Sequence, residues 1–107
     1  MNYKLTDFEK AVLKVIKKIP TGKVGTYRQI AKAIKRPNAF RAVGNALNKN
    51  PNAPRLPCHR VVKSDGKIGG YRSGVKKKIA LLKKEGIEVK QGKVKDFTKV
   101  NYKFYYS

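Results

Sequence analysis

Cys58 is the only cysteine in the chain, and it stands between Pro57 and the only histidine, His59, with Arg60 next in line. A thiol attacks as its thiolate, and neighbouring positive groups and a base favour that form. A lone cysteine is also commonly no more than a small buried apolar side chain. Adjacent residues diverge on a helix, so a proton passing from Cys58 to His59 fits a water relay better than direct contact. Glu85 is one of 6 acids and closes a stretch that reads as a helix. A carboxylate there can stand behind the imidazole and set its tautomer, as in a Cys-His-acid relay. The same spacing fits an ordinary exposed residue, and the sequence does not choose between them. One cysteine excludes an intrachain disulfide and a multi-cysteine zinc site. No metal ligand set is evident and no cofactor is implied.

The elements that position these residues can be traced from the N-terminus. Thr6 and Glu9 form a capping box, and Phe8, Val12, Val15, Ile16 and Ile19 follow at helical spacing. Pro20 and Gly22 stop that helix. Thr26 caps a second helix through Tyr27, Ile30, Ala31 and Ile34, which ends at Arg36-Pro37 because a residue before proline avoids the helical region. Asn38 is placed to cap a third helix that buries Val43, Ala46 and Leu47 and stops at Asn50-Pro51. Two short helices joined by a tight turn make a helix-turn-helix candidate.

Beyond the Cys58 segment, Ser64-Asp65-Gly66 is a turn signal, and residues 67 to 71 read as a short strand broken at Gly69-Gly70. A fourth helix is predicted from about Val75 to Glu85, with Val75, Ile79 and Leu82 inward and Gly86 past its C-terminus. Gln91-Gly92 can turn a weak hairpin. Tyr102, Phe104, Tyr105 and Tyr106 either pack back on the body or fray.

The chain has 107 residues, 27 Lys and Arg against 6 Asp and Glu, a net charge of +21 and 40% apolar residues. That length allows one domain over residues 1–107. The apolar content supports a small core, with 5–90 as its expected span and 91–107 as a tail. The charge points to a polyanionic partner, of which nucleic acid is the commonest. No long apolar run implies a spanning helix or a secretory signal, so no membrane partner is expected. A monomer with an intracellular, cytoplasmic address is the default.

Pro57-Cys58-His59-Arg60-Val61 resembles the PCHRV box of the O6-alkylguanine-DNA alkyltransferases. Flanking segments match in the same order: Gly25 to Ala31, Arg41 to Leu47, Asn50-Pro51, Gly69-Gly70-Tyr71, and Leu81-Leu82 to Glu85-Gly86. The resemblance implies an α+β, mostly helical, winged-helix-like DNA-binding domain with a short active-site turn. It implies direct-reversal repair: an alkyl group, above all methyl, moves irreversibly from O6-alkylguanine in double-stranded DNA to Cys58, once per molecule, after base flipping.

By the same resemblance His59 is the base through a water, Glu85 orients it, and Asn50 holds the hinge between recognition helix and active-site turn. Tyr27 donates to the leaving guanine, and Arg41 enters the base stack as a finger. Val61, Tyr71 and Arg72 line the substrate pocket. Ala39, Phe40, Ala42 and Gly44 face the groove, and Thr26, Arg28 and Ser64 complete the DNA-contacting set.

Three departures stand out. The chain opens at the first helix with no N-terminal domain, so the protein is either minimal or served by a separate partner. Phe40 occupies a position that is usually small, and Arg72 one that is often serine. The principal rival is an alkyltransferase-like lesion sensor, which lacks the acceptor cysteine. A plain nucleic-acid-binding module and a cysteine hydrolase are the others.

Overall fold

A computed structural model describes residues 5–51, 53 and 55–104. Helix α1 (Asp7–Ile16) starts where Thr6 caps it, with the Thr6–Glu9 capping box complete. It stops before Pro20, and Ile19 reaches the core from the turn beyond it. Strand β1 (Gly25–Thr26) leads into α2 (Tyr27–Ala33), where Thr26 forms a second capping box with Gln29.

Helix α2 ends earlier than Arg36-Pro37. Lys35 turns into the left-handed region at φ 63, and the Arg36 and Lys35 amides bond back to Ala31 and Lys32 carbonyls at 2.9 and 3.0 Å. This is the paired bonding of a Schellman motif, here built on lysine instead of glycine. The second correction concerns α3 (Phe40–Leu47), whose N-cap is Ala39 with no side-chain cap, not Asn38. Its inward residues are Val43, Ala46 and Leu47, as its periodicity predicts.

Helices α1, α2 and α3 enclose one apolar cluster around Val12, Ile16, Ile30 and Val43, and both Cys58 and Val61 belong to it. A 3-10 turn (Cys58–Arg60) runs into β2 (Val61–Val62). That strand pairs parallel with β1, Gly25 opposite Val61 and Thr26 opposite Val62. Successive strand residues face opposite sides, so Val61 enters the first cluster and Val62 a second one with Val24, Ile68, Leu82, Ile87 and Val94. This small parallel pair therefore joins the helical part to the rest, and it was not foreseen.

Residues 67–71 do not form a strand. Lys67 makes a single antiparallel bridge to Lys93, and the Ile68 amide bonds to the Gly92 carbonyl at 3.0 Å. Their partner is the hairpin β3 (Val89–Lys90) and β4 (Lys93–Val94), with Gln91 and Gly92 at φ 52 and 78 between them. Two consecutive left-handed residues give the type I′ turn that suits the strand twist.

Helix α4 (Val75–Lys84) ends in a Schellman motif, with Gly86 at φ 87 and the Ile87 amide bonded to the Leu82 carbonyl. Its inward face differs from the predicted one: Val75 is 45% exposed, whereas Lys78 is fully buried.

The core also extends past residue 90. Val94 of β4 lies in the second cluster, Phe97 of the short helix α5 (Phe97–Val100) packs against it, and Tyr102 and Phe104 pack on the first. Asn101 fastens this tail, its side-chain amide donating to Val24 O at 3.0 Å and to Gln29 Oε1 at 2.9 Å. Tyr105 and Tyr106 lie outside the described residues. Among the described residues no helix is long and apolar enough to cross a membrane.

Candidate active site and nucleic-acid interface

Cys58 follows a rigid approach. Its amide bonds to Leu56 O at 2.8 Å, and the buried Asn50 donates its side-chain amide to the same carbonyl at 2.7 Å. Asn50 thus ties the end of α3 to the turn. Cys58 is only 6% exposed, yet it lines a cavity of about 320 Å³ with Leu47, Asn50, Tyr71 and Arg72. It also lines a narrow slot that continues toward Tyr27 and Gly44.

Behind the sulfur, the His59 ring is almost wholly buried. Its Nε2 lies 3.1 Å from Glu85 Oε2. A carboxylate only accepts, so Nε2 carries the proton and Nδ1 is the basic nitrogen. Nδ1 is buried with no hydrogen-bond partner among the described residues.

Arg60 completes the arrangement. Its Nε and Nη2 donate to Glu85 Oε1 and Oε2 at 2.9 and 2.7 Å, Nη1 to Ile19 O at 2.7 Å, and Nη2 to Thr21 Oγ1 at 2.9 Å. The guanidinium therefore holds Glu85 and the turn after α1, and is not the cation that the sequence placed beside the thiol.

Burial alone would raise the Glu85 carboxyl, but its hydrogen bonds from Arg60 and His59 outweigh that and hold it below 4.5. Burial lowers His59 below 6.5, against the opposing pull of Glu85. The ring is consequently neutral near pH 7 and able to take a proton.

The residue that sequence reasoning missed is Lys78. Its Nζ donates to Val61 O at 2.7 Å, to Gly70 O at 3.0 Å, and to Ile68 O. One buried ammonium thereby holds together the strand after the active-site turn and the loop that carries Tyr71. Burial pulls its pKa down to about 8, with negative charge at Cys58 opposing the shift. Its only sequence signal was its position three residues after Val75 and four before Leu82, on the apolar stripe.

Tyr27 packs against this loop. A Cβ at Gly69 would lie 3.0 Å from the Tyr27 hydroxyl, and Gly69 sits at φ 68, so both crowding and backbone conformation select glycine there. Burial, and then negative charge at Cys58, raise the pKa of Tyr27. Burial also pushes Tyr71 up to about 12, helped by the Cys58 charge and a hydrogen bond with Cys58. Both phenols therefore remain protonated donors.

A second cavity of about 530 Å³ adjoins the slot. It lies between the start of α2, the face of α3 and the 63–65 turn. Arg28, Arg41 and Lys63 line it with Ser64, and Asp65 is the one acid there. Arg28 stacks on the Phe40 ring at 4.4 Å from its centroid, so Phe40 turns sideways onto a guanidinium. Ala42 is exposed, and Ala39 and Gly44 are half-buried. Thr26, expected on this face, is instead buried, its hydroxyl accepting from the Gln29 amide.

Residues 7–87 match the family model described as "6-O-methylguanine DNA methyltransferase, DNA binding domain". The chain belongs to that family. A methylated-DNA–protein-cysteine methyltransferase of Methanosarcina barkeri is 54% identical over 80 residues, covering 75% of this chain and 51% of that protein. The chain thus spans about half the length of the curated relatives it matches.

Among solved structures, Mycobacterium tuberculosis OGT in complex with DNA superposes with TM-score 0.73 at 46% identity, over 77% of this chain and 51% of that one. S. pombe Atl1, in complex with damaged DNA containing O6-carboxymethylguanine, superposes with TM-score 0.82 at 30% identity, over 94% of this chain and 98% of that one. These matches bear out the α+β winged-helix-like expectation for the family's DNA-binding domain.

Two outcomes follow from the site. Lys78→Met leaves the buried carbonyls of Val61 and Ile68, and the partly buried one of Gly70, without their donor and lowers stability by about 3 kcal/mol in urea unfolding. The second is a pH dependence. Neutral His59 contributes fully above pH 6.5, and that contribution is lost as pH falls from there toward its depressed native value, because only the unfolded chain readily takes the proton. Urea unfolding of the parent between pH 7.5 and 5.5 therefore shows a loss of stability that is shallower in His59→Gln.

Proposed function

We propose that this protein repairs DNA by direct reversal: Cys58 Sγ takes the alkyl group from O6-alkylguanine in duplex DNA, once, and keeps it. The observation that carries this reading is the sulfur's position at the wall of a cavity, with the residue that follows it in sequence a buried imidazole whose free nitrogen is basic and whose other nitrogen is anchored on a carboxylate.

In the proposed reaction the thiol proton passes through a water to His59 Nδ1. Glu85 stabilises the resulting imidazolium, and Arg60 keeps Glu85 in place. Sγ then attacks the alkyl carbon in line, the carbon–O6 bond breaks, and its electron pair leaves with guanine. The Tyr27 hydroxyl donates to the purine and disperses that charge. Tyr71 walls the cavity, and the main-chain carbonyls of Cys58 and Val61 accept from the guanine amino group. No cofactor takes part in this scheme.

An O6 substituent inside a duplex is out of reach of this cavity, so the nucleotide must be extruded. Arg28, Arg41 and Lys63, gathered around one groove, supply phosphate attraction, and Arg41 on exposed α3 fills the space that the base leaves. The +21 charge makes that association salt-sensitive and the protein DNA-associated. A second reading, lesion sensing without transfer, draws on the coverage of nearly all of Atl1. The placement of Cys58 favours transfer.

Intact-mass spectrometry after incubation with a duplex containing O6-methylguanine separates the two. Transfer adds about 14 Da, a methyl in place of a hydrogen, to Cys58 and nothing to Cys58→Ala. Folded, reduced protein that binds the duplex without gaining mass leaves the sensing reading. Arg41→Ala slows transfer from the duplex about tenfold more than transfer from the free O6-methylguanine base, since only the duplex requires extrusion. Equal losses in single-turnover assays would remove the finger role.

A further inference from the structure

The lining of the Cys58 cavity is electrically one-sided. Among the described residues around it stand Arg72 and the neutral side chains of Leu47, Asn50, Ala53, Tyr71 and Ser73, with no carboxylate. Arg72 also lines the slot that runs from Cys58 toward Tyr27, so this residue borders both spaces that meet at the sulfur. Arg60, the arginine of the turn itself, is committed to Glu85, Ile19 and Thr21. Arg72 has no ion pair or hydrogen bond among the described residues, and it is exposed, so its guanidinium is free to turn toward an anion in the cavity without a buried-charge penalty.

We propose that Arg72 selects O6 adducts that carry a negative charge, carboxyalkyl groups on guanine, over neutral adducts of the same size. This deepens the transfer reading and rests on it. A guanidinium offers two parallel N–H groups that match the two oxygens of a carboxylate, which gives both attraction and orientation. A cavity of about 320 Å³ is at the small end of small-ligand sites, with room for a purine and a short substituent.

Charge is the deciding problem for such a substrate. A thiolate approaching a carbon bonded to a carboxylate meets a like charge at short range, whereas a methyl or an amide presents none. Arg72 at the cavity wall offsets that repulsion only for the anionic adduct. In the step itself Sγ bonds to the CH₂ carbon, the carbon–O6 bond breaks, and guanine departs with the electron pair and regains a proton. S-carboxymethylcysteine remains on the protein, and no oxidant or reductant is needed.

The test uses the full chain and three duplexes of one sequence, bearing O6-carboxymethylguanine, its neutral isostere O6-carbamoylmethylguanine, or O6-methylguanine. Single-turnover rates are read as the mass gained on Cys58. The quantity of interest is the carboxymethyl to carbamoylmethyl rate ratio, in which intrinsic reactivity and any common loss of DNA affinity cancel between variants. Arg72→Gln lowers that ratio about tenfold, and Arg72→Lys, which keeps the charge without the fork, lowers it less. Added salt narrows the gap between parent and Arg72→Gln.

An unchanged ratio in Arg72→Gln, with all three rates falling together, would make Arg72 a phosphate contact and overturn the proposal. If the parent gains no mass even from O6-methylguanine, it is the transfer reading that fails. That outcome is distinct from methyl transfer that proceeds while the ratio ignores Arg72.

Discussion

The Glu85 carboxylate receives hydrogen bonds from both His59 and Arg60, and through Arg60 it reaches Ile19 and Thr21 beyond α1. The C-terminus of α4, the active-site turn and the turn after α1 therefore meet at one charged group. Two of its effects concern the chemistry. The bond to Nε2 leaves the proton-accepting lone pair on Nδ1, and the fork from Arg60 prevents the carboxylate from swinging away. Without a permanent cation on its far side, a half-buried carboxylate beside an imidazole would tend toward its neutral form. Arg60 is thus a positioning residue that acts on His59 through Glu85.

Lys78 performs the corresponding task for the strand that follows the Cys58 turn. Burying an ammonium is costly unless its protons are all used, and here three carbonyls from β2 and the following loop use them. Those carbonyls belong to short irregular segments with few ladder bonds of their own. A parallel pair of two residues per strand cannot hold a loop by itself, and the lysine supplies what the ladder lacks.

The two cavities divide the molecule's electrostatics. On the α3 side, Arg28, Arg41 and Lys63 face an open groove, where a screened, diffuse attraction suits a phosphate backbone. Inside, the space beside Cys58 is small and has one cation at its wall. In the proposed function, charge in the groove would act on DNA of any sequence, while charge in the cavity would act on the adduct. The tail supports the groove, because the β3–β4 hairpin braces the 63–67 turn and α5 packs behind it.

Local sequence was sufficient for the helices that local chemistry starts. Capping boxes at Thr6 and Thr26, the glycine after α4, the Gln91-Gly92 turn and the inward stripe of α3 all act within a few residues, so they can be read without knowing the fold. The order Pro57-Cys58-His59-Arg60-Val61 likewise located the candidate nucleophile and its base. Tertiary structure alone decided which partners these residues take. The bonds from His59 and Arg60 to Glu85 span 26 and 25 residues, and those from Lys78 to Val61 and Ile68 span 17 and 10. Nothing in a local pattern shows that a lysine will be buried while Val75 on the same helix stays in water, or that Arg60 will turn from the thiol toward an acid. Those choices follow from which buried polar groups need a partner once the elements are packed, a condition that exists only when distant segments have met.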